Sequence, residues 1–423
     1  ATGLTSATQT ATLVAGAVSR LSLDTSAADA VNGVAFTTQP VVKLLDADDN
    51  LTTSTATVNI SVSTGVASGN AVLGGTYSTA ATSGTATFTN VKLTGTVDTY
   101  VLTYASTGLS SITQSLSMTI GAPTQLILST QAVGFENRTN FGTQPVISVA
   151  DIAGNTITSS TASVSVTISS GNLTGTVTVN AVNGVADWAA ASTALGKNGT
   201  IGSKTLTFSS SGVTDATQTF TLTHGVAYQL AMTSPATLVN DTVFGTQPVV
   251  TIQDRDGNTV TTGAQSTQSV VLSSSNSTIG GTTSMNAVAG EANFFGKDIK
   301  LTGLVGARQL AARIVQPSSI TVTNSVTITF GAPDQLRLTT AAAGAASGSE
   351  FTTQPVVVIE DISGNKVDNS TLTVNVSATA GTFAGSTAVA AVGGTATFTN
   401  LKITGAAATY GLNYFVNGLR NAN

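Results

Sequence analysis

Four short segments of the chain alternate apolar and polar residues behind the same dipeptide. After Gln39-Pro40, Gln144-Pro145, Gln247-Pro248 and Gln354-Pro355 come Val41-Val-Lys-Leu-Leu, Val146-Ile-Ser-Val-Ala, Val249-Val-Thr-Ile-Gln and Val356-Val-Val-Ile-Glu. The second and fourth positions are apolar every time: Val42 and Leu44, Ile147 and Val149, Val250 and Ile252, Val357 and Ile359. The third and fifth range from Lys to Val and from Leu to Glu. A period of two predicts a strand with one buried face. Proline stands where that strand begins, the place at which a missing N–H does least harm.

Other segments recur at fixed distances from this one. Asp46-Ala-Asp-Asp-Asn, Asp151-Ile-Ala-Gly-Asn, Asp254-Arg-Asp-Gly-Asn and Asp361-Ile-Ser-Gly-Asn follow the strand. Gly-Asn behind an Asp supplies the positive-φ residue and side-chain cap of a tight hairpin. Alternating runs such as Ala56-Thr-Val-Asn-Ile-Ser-Val and Ser163-Val-Ser-Val-Thr-Ile come next. A Gly-x-Ala-x-aromatic segment then ends in Phe88, Trp188, Phe294 or Phe398, expected core aromatics at one depth. A later strand carries Tyr100 and Tyr104, Lys204 and Phe208, or Tyr410 and Tyr414. Tyr100 and Tyr410 sit where sandwich domains carry a tyrosine corner.

The shared stretch Phe-x-Thr-Gln-Pro-Val starts at Phe36, Phe141, Phe244 and Phe351. Its prolines, at 40, 145, 248 and 355, are 105, 103 and 107 residues apart. A period that long is a whole domain, not a solenoid turn. About seven short strands per period with regular turn signals predict a β-sandwich. The expected organisation is all-β: an unpaired last strand at 1–16, then repeats at 17–121, 122–225, 226–331 and 332–423. Junctions such as Gly121-Ala-Pro leave little hinge, so an elongated, semi-rigid string of sandwiches is expected.

The two ends complement each other. Gly3-Leu-Thr-Ser-Ala-Thr-Gln-Thr-Ala-Thr-Leu-Val-Ala-Gly16 matches Gly108-Leu-Ser-Ser-Ile-Thr-Gln-Ser-Leu-Ser-Met-Thr-Ile-Gly121, the last strand of the first repeat. Val416-Asn-Gly-Leu-Arg-Asn-Ala-Asn423 matches the residues just before that strand. Either residues 4–16 of one subunit complete the fourth repeat of the next, as in donor-strand complementation, or the sequence is a window of a longer array. Head-to-tail donation without closing symmetry builds a filament or lattice. The residues expected to make that contact are Leu4, Thr8, Thr10, Thr12, Leu13 and Val14 on one side and Tyr410, Leu412, Tyr414 and Leu419 on the other.

Composition narrows the function. Charged residues are 8% of 423, hydrophobic ones 41%, and the formal net charge is −5. Scattered Lys and Arg argue against nucleic acid and anionic membranes as partners. With no Cys, disulfides and thiolate metal sites are excluded. No stretch approaches eighteen apolar residues. No leader precedes Ala1, as expected of a chain that has lost one or was cut from a longer one. One histidine, His224, leaves Ser-His and Cys-His nucleophile systems a single base, so no enzyme is expected and no cofactor. Clustered oxygens make Asp46, Asp48, Asp49, Asp254 and Asp256 weak calcium candidates. A structural turn is the competing reading of those residues. Nine Asn-x-Ser/Thr sites, Asn50 and Asn240 among them, leave glycans possible.

Together the Thr-Gln-Pro-Val strand, the Asp-x-x-Gly-Asn turn, the Gly-x-Ala-x-Phe segment and the Leu-x-Ile-Thr-Gly tail resemble bacterial immunoglobulin-like domains of the Big type. Such domains recur in adhesins, surface-layer proteins and large secreted proteins. The resemblance covers the whole chain and implies an extracellular, cell-surface structural role, since its motifs specify a fold and not a ligand. The expected protein is a subunit of a surface layer or filament whose partners are other copies of itself. The stalk of a large adhesin is the alternative.

Overall fold

The computed structural model describes residues 3, 5–67, 69–315 and 319–421. Strands dominate it, and the first repeat shows the plan. Arg20–Thr25, Val41–Leu45 and Thr85–Thr87 form one antiparallel sheet. Facing it, Ala30–Val31, Ile112–Thr119, Thr99–Ala105, Thr57–Val62 and Ser78–Ala80 form a second, in that spatial order. The first strand thus changes sheets: Arg20–Thr25 pairs with Val41–Leu45, and Ala30–Val31 then runs parallel to Ile112–Thr119. A hairpin of Ala71–Thr76 and Thr89–Gly95 closes one side.

The second, third and fourth repeats rebuild the same plan around Val146–Ala150, Val249–Gln253 and Val356–Glu360. Four separate apolar cores result, centred on Val42 and Leu44, Ile147 and Val149, Val250 and Ile252, and Val357 and Ile359. All eight of those side chains are at most 1% exposed. The chain is therefore four tandem immunoglobulin-like β-sandwiches. By compactness it divides into two units, residues 1–223 and 224–423, each holding two sandwiches.

The opposite face of the strand departs from the sequence pattern in two repeats. Ser148 and Ala150, and Val358 and Glu360, are buried as well. Ser129 hydrogen-bonds Ser148 at 2.6 Å, and Arg337 ion-pairs with Glu360, so the neighbouring first strand covers that face.

The recurring Gln has a structural reason. Proline cannot donate to the ladder, and the Gln39 side chain supplies a substitute. Its Nε2 donates to Phe36 O and Val91 O, and its Oε1 accepts the Val91 N–H at 2.8 Å. Gln144, Gln247 and Gln354 repeat this with Leu195, Ile299 and Leu401. The amide thereby extends the backbone pairing around the proline, and the Phe before it enters the core. The Gly-x-Ala-x-aromatic residues are core: Phe88, Trp188, Phe294 and Phe398 are at most 1% exposed. Trp188 Nε1 donates to Thr176 O at 2.9 Å, and its ring meets Phe208 edge-on at 5.4 Å.

Candidate functional sites

The Asp-x-x-Gly-Asn turns are more than hairpin ends. In the first unit, Asp151 Oδ1 accepts the N–H groups of Ala153 and Asn155, both at 3.0 Å, which folds the turn. Gly154, at φ +89°, takes the left-handed position that favours glycine; in the first repeat Asp49 holds it at φ +68°. Asp151 Oδ2 accepts Asn155 Nδ2 of the turn at 3.0 Å and also reaches beyond it. It accepts Asn32 Nδ2 of the preceding sandwich at 2.7 Å and the Gly121 N–H of the linker at 3.1 Å. Asn155 bonds back across the junction: its Nδ2 donates to Gly95 O at 2.9 Å and its Oδ1 accepts the Val97 N–H at 3.1 Å.

The second unit repeats the clasp. Asp361 Oδ2 accepts Asn240 Nδ2 and the Gly331 N–H, both at 2.8 Å. Asn365 donates to Gly303 O at 2.9 Å and accepts the Val305 N–H at 2.8 Å. Asn32 and Asn240 are both 2% exposed, and Asp151 and Asp361 are fully buried. Burial alone pushes both carboxyls up in pKa. The bonds from Asn32 and Asn155, or from Gly331, Asn365 and Asn240, outweigh it and hold each below the ordinary carboxylate value.

The calcium candidates occupy the same turns. Asp46 accepts the Gly16 N–H at 2.8 Å, the Asn50 N–H at 2.9 Å and the Asp48 N–H at 3.0 Å, and Gly16 foremost holds its carboxyl down to about 2. Asp254 accepts the Gly225 N–H at 2.9 Å and the Asp256 N–H at 2.9 Å. Asp49 pairs with Arg20. The Asp46 and Asp254 oxygens therefore face N–H donors of the turn and linker.

His224 hydrogen-bonds Thr262 at 2.8 Å beside the Gly225 carbonyl. Among the glycan positions, Asn137 and Asn240 are buried.

The expected assembly residues fall in two places. Leu4 lies outside the described residues. Residues 5–15 form no strand, Thr8, Thr10 and Thr12 are exposed, and Leu13 and Val14 are 93% and 78% exposed. On the other side, Tyr414 is buried, while Tyr410, Leu412 and Leu419 pack half-buried against the fourth core. The corner geometry holds at both tyrosines: Tyr100 donates to Thr96 O and Tyr410 to Ala406 O, each at 2.6 Å. Leu412–Phe415 pairs with Thr373–Ala378 on one side; on the other its edge is open among the described residues.

Two residues escaped the sequence reading. Lys197 is 1% exposed at the place of Leu93, Leu301 and Ile403. Its Nζ donates to Gly134 O and to Thr139 Oγ1 at 3.0 Å, and it lies 4.6 Å from the Phe141 ring centre. Burial lowers its pKa to about 8 against the opposing pull of Glu136. Gln114, the second, turns inward from the last strand of the first sandwich.

No family model matches the chain, and no curated protein matches it. Among solved structures it is similar to invasin, a bacterial integrin-binding protein, at 14% identity and TM-score 0.30, covering 94% of this chain and 76% of that one. It is also similar to the Escherichia coli adhesin FdeC (14% identity, TM-score 0.27, covering 75% and 100%). A third is surface layer protein SbsC, domains 1–6 (15% identity, TM-score 0.24, covering 96% and 52%).

Proposed function

We propose that the chain is a non-enzymatic structural subunit of an extracellular assembly, a surface layer or filament, whose copies join head to tail at the open edge of the fourth sandwich. The observation that supports it most is the clasp, which binds one sandwich to the next within each unit. Its buried Asp and Asn are committed to holding neighbours, as a spacer requires. A surface of Ser and Thr hydroxyls with charged residues at only 8% suits close packing of copies. Negative-stain micrographs of the purified full chain over rising concentration test the reading. Sheets or filaments are the expected result. Single dispersed particles at every concentration would overturn it in favour of an adhesin stalk.

A further inference from the structure

In each of the first three sandwiches the first and last strands run side by side in the same direction. Ala30–Val31 lies parallel to Met118–Thr119, and Thr237–Val239 to Thr327–Thr329. The second sandwich has the parallel bridges Gln125–Thr214 and Glu136–Thr223. Backbone bonds continue the pairing: Asn32 donates to Thr119 O and Asn240 to Thr329 O, both at 3.0 Å. An inward amide of the last strand ties each pair where the first strand enters it. Gln114 Oε1 accepts the Ala27 N–H at 3.0 Å, and its Nε2 donates to Ala27 O. Gln218 makes the same two bonds to Ala132, at 2.9 and 2.7 Å, and Asn324 Nδ2 donates to Met232 O at 2.9 Å. Ala27 and Ala132 sit where the first strand passes from one sheet to the other, so the amide supplies backbone partners that the ladders do not.

At the other end the tie comes from the next sandwich. Asp151 Oδ2 accepts Asn32 Nδ2, just past the first strand, and the Gly121 N–H, just past the last. Asp361 Oδ2 grips Asn240 and Gly331 in the same way. The two strands are so close here that a Cβ on Gly121 would meet Asn32 O at 2.7 Å, and one on Gly331 would meet Asn240 O at 2.6 Å. The pairs of the first and third sandwiches are thus fastened at one end by their own amide and at the other by the neighbour's carboxylate.

We propose that the first and third sandwiches bear tension along the chain, each strengthened by the Asp of the sandwich that follows it. Pulling on the chain from both sides draws the first strand back and the last strand forward. Because the two are parallel, that load slides one along the other, and the bonds between them must yield together. A pair peeled from one end would lose its bonds one at a time. The amide adds bonds where sliding would begin. The carboxylate draws Asn32 forward together with Gly121, so load from the next sandwich reaches both strands and the sliding force between them falls. This function goes beyond the spacer role and holds whether or not copies assemble.

Constant-force extension of the full chain, held through a cysteine added at each end, tests this, since the chain has none of its own. Abrupt lengthening, one sandwich at a time, is the expected result, and its rate is the unfolding rate under load. Gln114→Leu and Asp151→Ala are each expected to make one step about tenfold faster at the same load, through bonds lost on the way to unfolding. Asp151→Ala leaves every residue of the first sandwich in place, so it carries the test if Gln114→Leu fails to fold. The double variant is expected to quicken that same single step; two quickened steps would overturn the help from the neighbour. Ile60→Ala is the control. It opens the same core from Thr57–Val62, which pairs with Ser78–Ala80 and Thr99–Ala105 and with neither the first nor the last strand. It is expected to lower the urea midpoint at least as much as Gln114→Leu while changing the step less. Smooth lengthening of the unsubstituted chain, unchanged steps in both variants, or steps that follow the urea midpoint in all three would overturn load bearing. Micrographs of the same chains show separately whether copies assemble, so that failure leaves the structural-subunit reading standing.

Discussion

The first and fourth sandwiches share a motif, a core and a turn, and differ at one edge. In each, the aromatic of the Gly-x-Ala-x-aromatic segment packs on the strand tyrosine: Phe88 on Tyr104 at 6.2 Å, Phe398 on Tyr414 at 5.7 Å. That contact forms whether or not a last strand is present. The strand covers the other end of the sheet. With Ile112–Thr119 in place, Tyr100 and Leu102 are fully buried; with no counterpart of that strand among the described residues, Tyr410 and Leu412 are half-open. The central core is thus made by the early strands, and the last strand seals one flank and satisfies one hydroxyl.

The largest test of that difference appends a copy of Ile112–Gly121 after Asn421. It should bury two large apolar side chains and stabilise the fourth sandwich by about 3–5 kcal/mol, read as a raised urea midpoint, and it should abolish assembly. An unchanged midpoint would mean the open flank contributes nothing. Next in size, Asp151→Ala removes the acceptor of Asn32, Gly121 and Asn155 and should cost about 3 kcal/mol. The same change at Asp46, whose partners are Gly16, Asp48 and Asn50, should cost less and mark the difference between a joined and an unjoined turn.

The tyrosine pair should respond with opposite signs. Tyr104→Phe loses the bond to Gln114 and should cost about 1 kcal/mol, whereas Tyr414→Phe removes a hydroxyl that has no partner among the described residues and should be neutral or stabilising by about 1 kcal/mol. Acid sharpens the comparison further. Asp46, Asp151 and Asp361 have carboxyls depressed in the folded state, so their contribution is present above the ordinary value near 3.8 and is lost as pH falls through each lowered value, which for Asp46 is about 2. Urea midpoints measured from pH 5 to pH 2 should fall, and Asp151→Asn should flatten the part due to the first junction. The smallest effect belongs to calcium: chelation with EGTA should leave the midpoint unchanged, and a loss above about 1 kcal/mol would return Asp46 and Asp254 to the role of ligands.

Much of this was legible in the residues. Period-two alternation in Val41–Leu45 and its counterparts predicted the buried pair in each core, because a strand's side chains change face at every step. Gly154 and Asn155 predicted a turn because few residues tolerate positive φ. The same residues also form the clasp, but Asn32 and Asp151 are 119 positions apart and no local pattern joins them. Lys197 was hidden differently. Leu195-Gly-Lys breaks the Val-Lys-Leu pattern, so only the pairing of Asn172–Thr174 with Gly196–Asn198 reveals a lysine in a leucine's place. The recurring glutamines at 114 and 218 were visible as a repeat, and their inward turn was not.

By itself, then, the sequence determined four sandwiches, their order and their buried faces, since those follow from short-range alternation and turn chemistry repeated at one long period. The tertiary structure alone decided which polar side chains work between sandwiches. Gln39 around its proline, Asn32 on Asp151 and Gln114 on Tyr104 are settled by what lies across a gap in space, and spacing along the chain carries no record of that.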